Sequence, residues 1–232
     1  MKQWIEHHKR ILQKAASALL AFMVGVCLVF MIHPVKTLPK DRLLSLSRMQ
    51  ADSQRFVASS SKEPALEDLL SLELVREEGK TQKNWVTLSA FVKKFGKAAS
   101  FTQEDTSFGA QVQLGYGTPV KGIYPYKIEF HEQDGVFYLS AVQGFVPHSS
   151  LYKKKKDLKL ADFTGYQTLD GKKEKGTIVE EVLKKSGLPN SLSLTRTQDK
   201  HLLALSYQVT DGLVSLTFER DQSGQYHLSK KG

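Results

Sequence analysis

A segment reading FVKKFG at 91–96 returns as VLKKSG at 182–187, ninety-one residues later, and the correspondence extends to both sides. At the same offset Val112, Leu114 and Tyr116 fall on Leu203, Leu205 and Tyr207. After a loss of three residues Phe130 meets Phe218; one residue is regained, and Gly135 then meets Gly224 while Leu139 meets Leu228. Upstream, Gly79 meets Gly171. Self-similarity of this length restricts a chain to architectures in which one supersecondary unit is built twice.

Both copies follow one order. A leucine-rich segment (LEDLLSLELV at 66–75, LKLADFTGY at 158–166) leads to a glycine, and a short helix follows, LSAFVKKFG in the first copy and TIVEEVLKKSG in the second. In the second, Thr177 and Glu180 have the spacing of a capping box, and Gly187 followed by Pro189 marks the helix end. Leu203, Leu205, Tyr207 and Val209 then alternate with Ala204, Ser206 and Gln208, the period-two pattern of a half-buried strand. Asp211-Gly212 turns into LVSLTFE, and Gln222-Ser223-Gly224 turns into QYHLS. The first copy offers AQVQLGY, KIEF and, after Asp134-Gly135, VFYLSAV. One-sided alternation buries one face of a sheet and leaves the other wet. The expected fold class is α+β, with an N-terminal transmembrane helix and two tandem repeats of helices packed on a small antiparallel sheet. The repeats are placed at 64–150 and 151–232.

LADFTGYQTLDG followed by TIVEEVLKKSGLP, ahead of an antiparallel sheet and in duplicate, resembles the β-lactamase-inhibitor-protein-like (BLIP-like) tandem family, in a membrane-anchored bacterial form. The resemblance covers roughly residues 65–232. The first copy departs from it: its helix ends in FGKAA without proline, and GYGTPVKGIYPY is inserted between strands. The same plan is similar to that of small outer-membrane assembly lipoproteins. What the resemblance implies is a protein-binding scaffold with no catalytic residues. No inhibitor contact residue carries over, and β-lactamase inhibition is not expected.

Ahead of the repeats, Ala15 to Ile32 holds eighteen residues without a charge, long enough as a helix to cover about 27 Å of bilayer. Lys2, Lys9, Arg10 and Lys14 precede it against Glu6, which by the positive-inside rule keeps the N-terminus in the cytoplasm. No small-x-small cleavage site follows, and Val26 before Cys27 does not suit a lipoprotein signal. These features predict a cytoplasmic tail at 1–14, a transmembrane signal-anchor at 15–33, and a stalk or linker at 34–63 with an amphipathic helix over 40–58. The localisation they imply is the cell membrane, single-pass, with the bulk extracytoplasmic.

The net charge of +9 is spread thinly and is not interleaved with aromatics, which argues against a nucleic-acid partner. Cys27 is the lone cysteine, so no intrachain disulfide forms. His131, His148, His201 and His227 show no HxH or HExxH spacing, and no metal site or cofactor is expected. No GxSxG elbow occurs, and the carboxylate pairs Glu104-Asp105 and Glu180-Glu181 are sequence neighbours; no catalytic residues are expected. Tyr116, Tyr124, Tyr126 and Tyr138 concentrate half the chain's eight tyrosines around the insertion, and tyrosines are frequent interface anchors. Lys153, Lys154, Lys155 and Lys156 form a basic run between the copies. The expectation is a non-enzymatic, membrane-anchored interaction module of the bacterial cell envelope, with an extracytoplasmic protein partner contacted through the tyrosines. The alternative is a module that binds or senses an anionic wall polymer or lipid through the lysine run.

Overall fold

The computed structural model describes residues 53–75, 85–106, 109–145, 147–169, 176–197 and 200–232, all within one compact unit. The period-two segments are strands, and two further strands accompany them. The first half holds helices α1 (Leu66–Leu70) and α2 (Leu88–Phe95) and strands β1 (Ser100–Thr106), β2 (Gly109–Tyr116), β3 (Tyr126–Gln133) and β4 (Val136–Phe145). The second holds a 3-10 turn (Leu160–Phe163), helix α3 (Val179–Ser186), and strands β5 (Ser191–Arg196), β6 (His201–Val209), β7 (Gly212–Arg220) and β8 (Tyr226–Lys231). β1 (SFTQEDT) and β5 (SLSLTR) escape sequence reading because neither has an apolar run. Phe101 is the one large apolar residue of β1, and only Leu192 and Leu194 point inward from β5.

The two halves do not keep separate small sheets, and the expected fold class is corrected here. All eight strands form a single antiparallel sheet in sequence order. The joint is β4 against β5, which pairs Ala141 with Thr195, Val142 with Leu194, Gln143 with Ser193, Gly144 with Leu192 and Phe145 with Ser191. Each half alone would end there in an exposed edge of unpaired N–H and C=O groups. Pairing edge to edge satisfies both rows at once and lines Leu192 and Leu194 up with the inner face of the first half.

The core is correspondingly continuous. Val112, Leu114, Ile128, Phe130, Leu139 and Val142 from the first half share one buried cluster with Leu194, Leu203, Leu205, Leu216, Phe218 and Leu228 from the second. The helices cover this face. Phe91 of α2 lies 5.5 Å from Phe130 and 5.8 Å from Tyr116, ring to ring, and Phe163 of the 3-10 turn lies 5.0 Å from Tyr207. Several contacts recur in both halves. The Tyr116 hydroxyl donates to the Gly96 carbonyl at 2.8 Å, as the Tyr207 hydroxyl does to Gly187 at 3.1 Å. Each glycine ends its helix at positive φ, +84° and +73°, a conformation that suits a residue without Cβ. The Leu139 amide donates to Val86 and the Leu228 amide to Thr177.

Other sequence expectations also change. Thr177 does not cap α3: its hydroxyl accepts from the Gln167 amide, and the N-cap position is Ile178, with no side-chain bond. Residues 56–64 are not free linker. Phe56 is buried and stacked on Phe101, Val57 bridges Ala98, and the Ser61 hydroxyl accepts from the Gly117 amide. Among the described residues no helix is long and apolar enough to cross a membrane. The expected signal-anchor at 15–33, its cytoplasmic tail and most of the stalk lie outside the described residues. The expected transmembrane element, signal-anchor and single-pass membrane localisation are therefore corrected: the described structure does not support them.

Beyond the seam, side chains clasp the halves together. Glu73, just past α1, is ion-paired with Arg220 of β7 and reaches His201 Nε2 of β6 at 3.4 Å, while Arg196 donates to the Leu74 carbonyl at 2.9 Å. Burial holds the His201 pKa down to about 4, aided by Arg196 and opposed by Glu73. Glu67 accepts from the amide and hydroxyl of Ser150; these bonds outweigh burial and bring its pKa down to about 2.

Both groups make stability depend on pH. His201 is depressed below its ordinary 6.5, so the unfolded chain binds the extra proton. Stability is full above pH 6.5 and falls as pH drops toward 4. Glu67 adds a second loss between its ordinary 4.5 and 2. Urea unfolding across this range should show the upper loss shrink in His201→Phe. Glu73→Ala should cost about 2–3 kcal/mol at pH 7 by stranding the Arg220 charge.

Candidate binding face

Strand alternation decides what is presented by the face of the sheet that no described helix covers. Pairing register carries one row across all eight strands: Ser100, Gly115, Lys127, Gln143, Ser193, Ala204, Thr217 and Lys230. The adjacent row runs from Phe145 through Ser191 and Ser206 to Ser215. Across β5, β6 and β7 these rows form a floor of serine, alanine and threonine, shallow enough for another molecule to approach the strands closely. Larger apolar groups stand at its margins. Phe145 is 48% exposed on β4 and Leu213 is 61% exposed on β7.

The β2–β3 insertion stands beside this face and has a defined shape. Val120 and Ile123 exchange backbone hydrogen bonds at 2.9 and 3.0 Å around Lys121 and Gly122, both at positive φ, as in the primed turn of a tight hairpin. Val120 is 70% exposed and Ile123 61%. The base of the loop is fixed on two sides. The Gly117 amide donates to Ser61, and the Phe145 amide donates to the Pro125 carbonyl at 2.7 Å. A Cβ on Gly117 would stand 2.8 Å from Glu63 Cγ and 2.9 Å from Pro125 Cγ. A tip of two exposed β-branched residues on so tight a turn loses little conformational freedom on binding.

The four tyrosines singled out in the sequence separate into structural and accessible ones. Tyr116 and Tyr126 are fully buried on the helix-covered face. Burial raises the hydroxyl pKa of both, to about 12 for Tyr126 and further for Tyr116. Tyr126 lies over Gly144 at the seam, and its hydroxyl accepts from the His148 amide at 2.9 Å. They are core residues that fasten the helix end and the chain leaving β4. Tyr124 is half-buried on the open face, its ring over Gly115, where a Cβ would stand 2.6 Å from the ring carbon Cγ. Tyr138 is half-buried against Trp85, with ring centroids 5.6 Å apart.

Lys153, Lys154, Lys155 and Lys156 are all exposed, and they lie beside α3 rather than on the open face. The Lys155 ammonium is committed to the Lys185 carbonyl at 2.6 Å. A cleft of about 480 Å³ lies among Leu151, Tyr152, Lys153, Leu183 and Lys184. A second, of about 300 Å³, lies under Phe56, Phe101, Val112 and Phe137. Among the described residues no group of three or more His, Cys, Asp or Glu side chains could hold a metal ion. His227 is buried between the Gly176 carbonyl and Asp221, whose carboxyl is held well below its usual range by Ser223 and the Gln225 amide. That arrangement closes the β7–β8 turn.

No protein-family model matches the chain, and no curated protein matches it. Among solved structures, a protein from Streptococcus mutans described as a candidate β-lactamase inhibitor protein is similar at 14% identity. The match covers 74% of this chain and 97% of that one, with a TM-score of 0.41.

Sequence reading missed Val120, Ile123 and Phe145 as surface groups, and with them the small-residue floor. The signal for the loop was present: Lys121-Gly122 between two β-branched residues is a short hairpin pattern. The division between core and surface should appear in denaturant unfolding. Tyr126→Ala should cost about 3–5 kcal/mol, as for removal of a buried aromatic. Ile123→Ser should stay within about 0.5 kcal/mol of the parent.

Proposed function

We propose that this chain is a non-catalytic protein-binding module that receives its partner on the open face of the eight-stranded sheet, with the Val120–Ile123 turn as an anchor at the margin. One observation carries this reading: a broad face floored by small side chains, flanked by exposed apolar groups held on fixed backbone. A surface of this kind matches the general anatomy of protein interfaces, in which a few preorganised apolar anchors carry most of the affinity. Of the residues singled out in the sequence, Tyr124 is placed to contribute, since its ring borders this face beside the loop. Tyr138 stands at the opposite end of β4 from Phe145, against Trp85, and takes a supporting part. The division of the chain into two α+β repeats belongs to the same proposal. Joined at one seam, the two copies make a continuous face wider than either could offer alone. Among the described residues no cluster of titratable groups stands in a cleft on this side, which favours binding over turnover.

Site-specific photocrosslinking in cells tests the reading. A photoreactive residue at Ser206 or Ile123 should capture the same discrete protein, and one at Lys93 on exposed α2 should not. Capture should fall about tenfold or more when Val120 and Ile123 are both replaced by aspartate. Equal capture from Lys93, or capture indifferent to the aspartates, would remove the open face from consideration.

A further inference from the structure

The lysine run acquires a different meaning from its surroundings than from its charge. Residues 151–155 lie along the C-terminal end of α3, fastened by the bridge between Lys154 and Gly187 and by the Leu188 amide donating to the Lys153 carbonyl at 3.1 Å. The approach is close. A Cβ on Gly187 would collide with the Lys153 carbonyl and stand 3.0 Å from the Lys155 amide. The Tyr207 hydroxyl holds the Gly187 carbonyl from below, and Lys155 holds that of Lys185. Between this segment and the helix lies the cleft of about 480 Å³, within the size range of sites that enclose a small ligand or a short peptide stretch.

The lining is of two kinds. Leu151, 68% exposed, and half-buried Tyr152 give the cleft an apolar wall above the buried Leu183, while Lys153 and Lys184 stand at its rim. Among the described residues neither rim lysine has a carboxylate within ion-pair distance. Lys155 and Lys185 are already engaged, Lys185 lying 5.2 Å above the Tyr166 ring. Glu180 and Glu67 act on the Tyr152 hydroxyl, whose pKa is raised chiefly by burial and further by them. The two rim groups are cationic and the wall apolar, with the carboxylates of Glu180 and Glu67 reaching the cleft only by way of the Tyr152 hydroxyl.

We infer that this cleft is a second binding site, on the helix side of the molecule, for an acidic polypeptide segment that lays an apolar side chain against Leu151 and Tyr152 while its carboxylates meet Lys153 and Lys184. Charge complementarity selects an anion, and the apolar walls select against one that is hydrophilic throughout. A phosphodiester polymer would meet the lysines and leave Leu151 in water. The site is independent of the open sheet face, and a chain carrying both could join two partners.

The test uses the full chain and fluorescence anisotropy with a labelled peptide of sequence Glu-Asp-Phe-Glu-Leu-Glu. A matched peptide has serine for both apolar residues, and inorganic tripolyphosphate serves as competitor. The apolar-acidic peptide should bind about fivefold or more tightly than its serine counterpart. Its affinity should fall about tenfold in the double variant Lys153→Glu with Lys184→Glu. Leu151→Ser, which leaves every charge in place at an exposed position, should cost several-fold as well. Equal binding of the serine peptide, or complete displacement by tripolyphosphate at matched charge, would overturn the proposal in favour of a charge-only surface. Binding unaffected by the rim and Leu151 variants would overturn it by placing the contact elsewhere. None of these outcomes bears on crosslinking from Ser206.

Discussion

The pairing of β4 with β5 is the interaction on which the rest of the structure depends. Five residue pairs, Ala141–Thr195 through Phe145–Ser191, convert two four-stranded halves into one sheet. Each backbone bond contributes only about 0.5–1.5 kcal/mol net, but the seam does more than add bonds. It brings Val142 against Leu194 and Gly144 against Leu192, so that the apolar faces of the halves become one core. Tyr126 can lie over the joint because Gly144 has no side chain, and its hydroxyl fixes the chain that leaves the seam at His148. On the opposite side of the sheet the same pairing sets Gln143 and Phe145 of β4 in register with the small side chains of β5 to β7. The open face is therefore a consequence of the seam.

The clasp at Glu73 supplements this arrangement from the helix side. Its carboxylate reaches from just past α1 to Arg220 and His201 in the second half. A charge so placed costs desolvation, and the cost is offset only while both partners remain. The depressed pKa of His201 shows the balance: burial and two arginines keep the imidazole neutral although a carboxylate stands beside it.

Most of the individual strands, though not the architecture, were legible in the chain. Alternation located β2, β3, β4, β6, β7 and β8, and glycine followed by proline located the end of α3, because these signals depend on local periodicity and backbone stereochemistry. The edge partnership of β4 and β5 was not legible, since hydrogen bonding between strands fifty residues apart leaves no local mark, and SLSLTR carries too little apolar character to announce itself. The candidate site was legible only in part. Tyrosine density pointed to the loop that borders the proposed face, but Tyr116 and Tyr126 are interior, while Val120, Ile123 and Phe145 are displayed. Residue type alone does not separate a core tyrosine from an interface tyrosine; position in the alternation does. The lysine run was visible as charge, whereas the apolar walls of the cleft depend on Leu151 meeting α3 from outside the helix.

Amide hydrogen exchange at the seam tests the central claim most directly. If one continuous sheet underlies both the core and the open face, the amides within 141–145 and 191–195 that bond across the seam exchange only through global unfolding, with protection equal to that of β3 and β6. Exchange at these amides at a markedly lower free energy, with β3 and β6 still protected, would mean that the halves separate while folded, and would contradict the account.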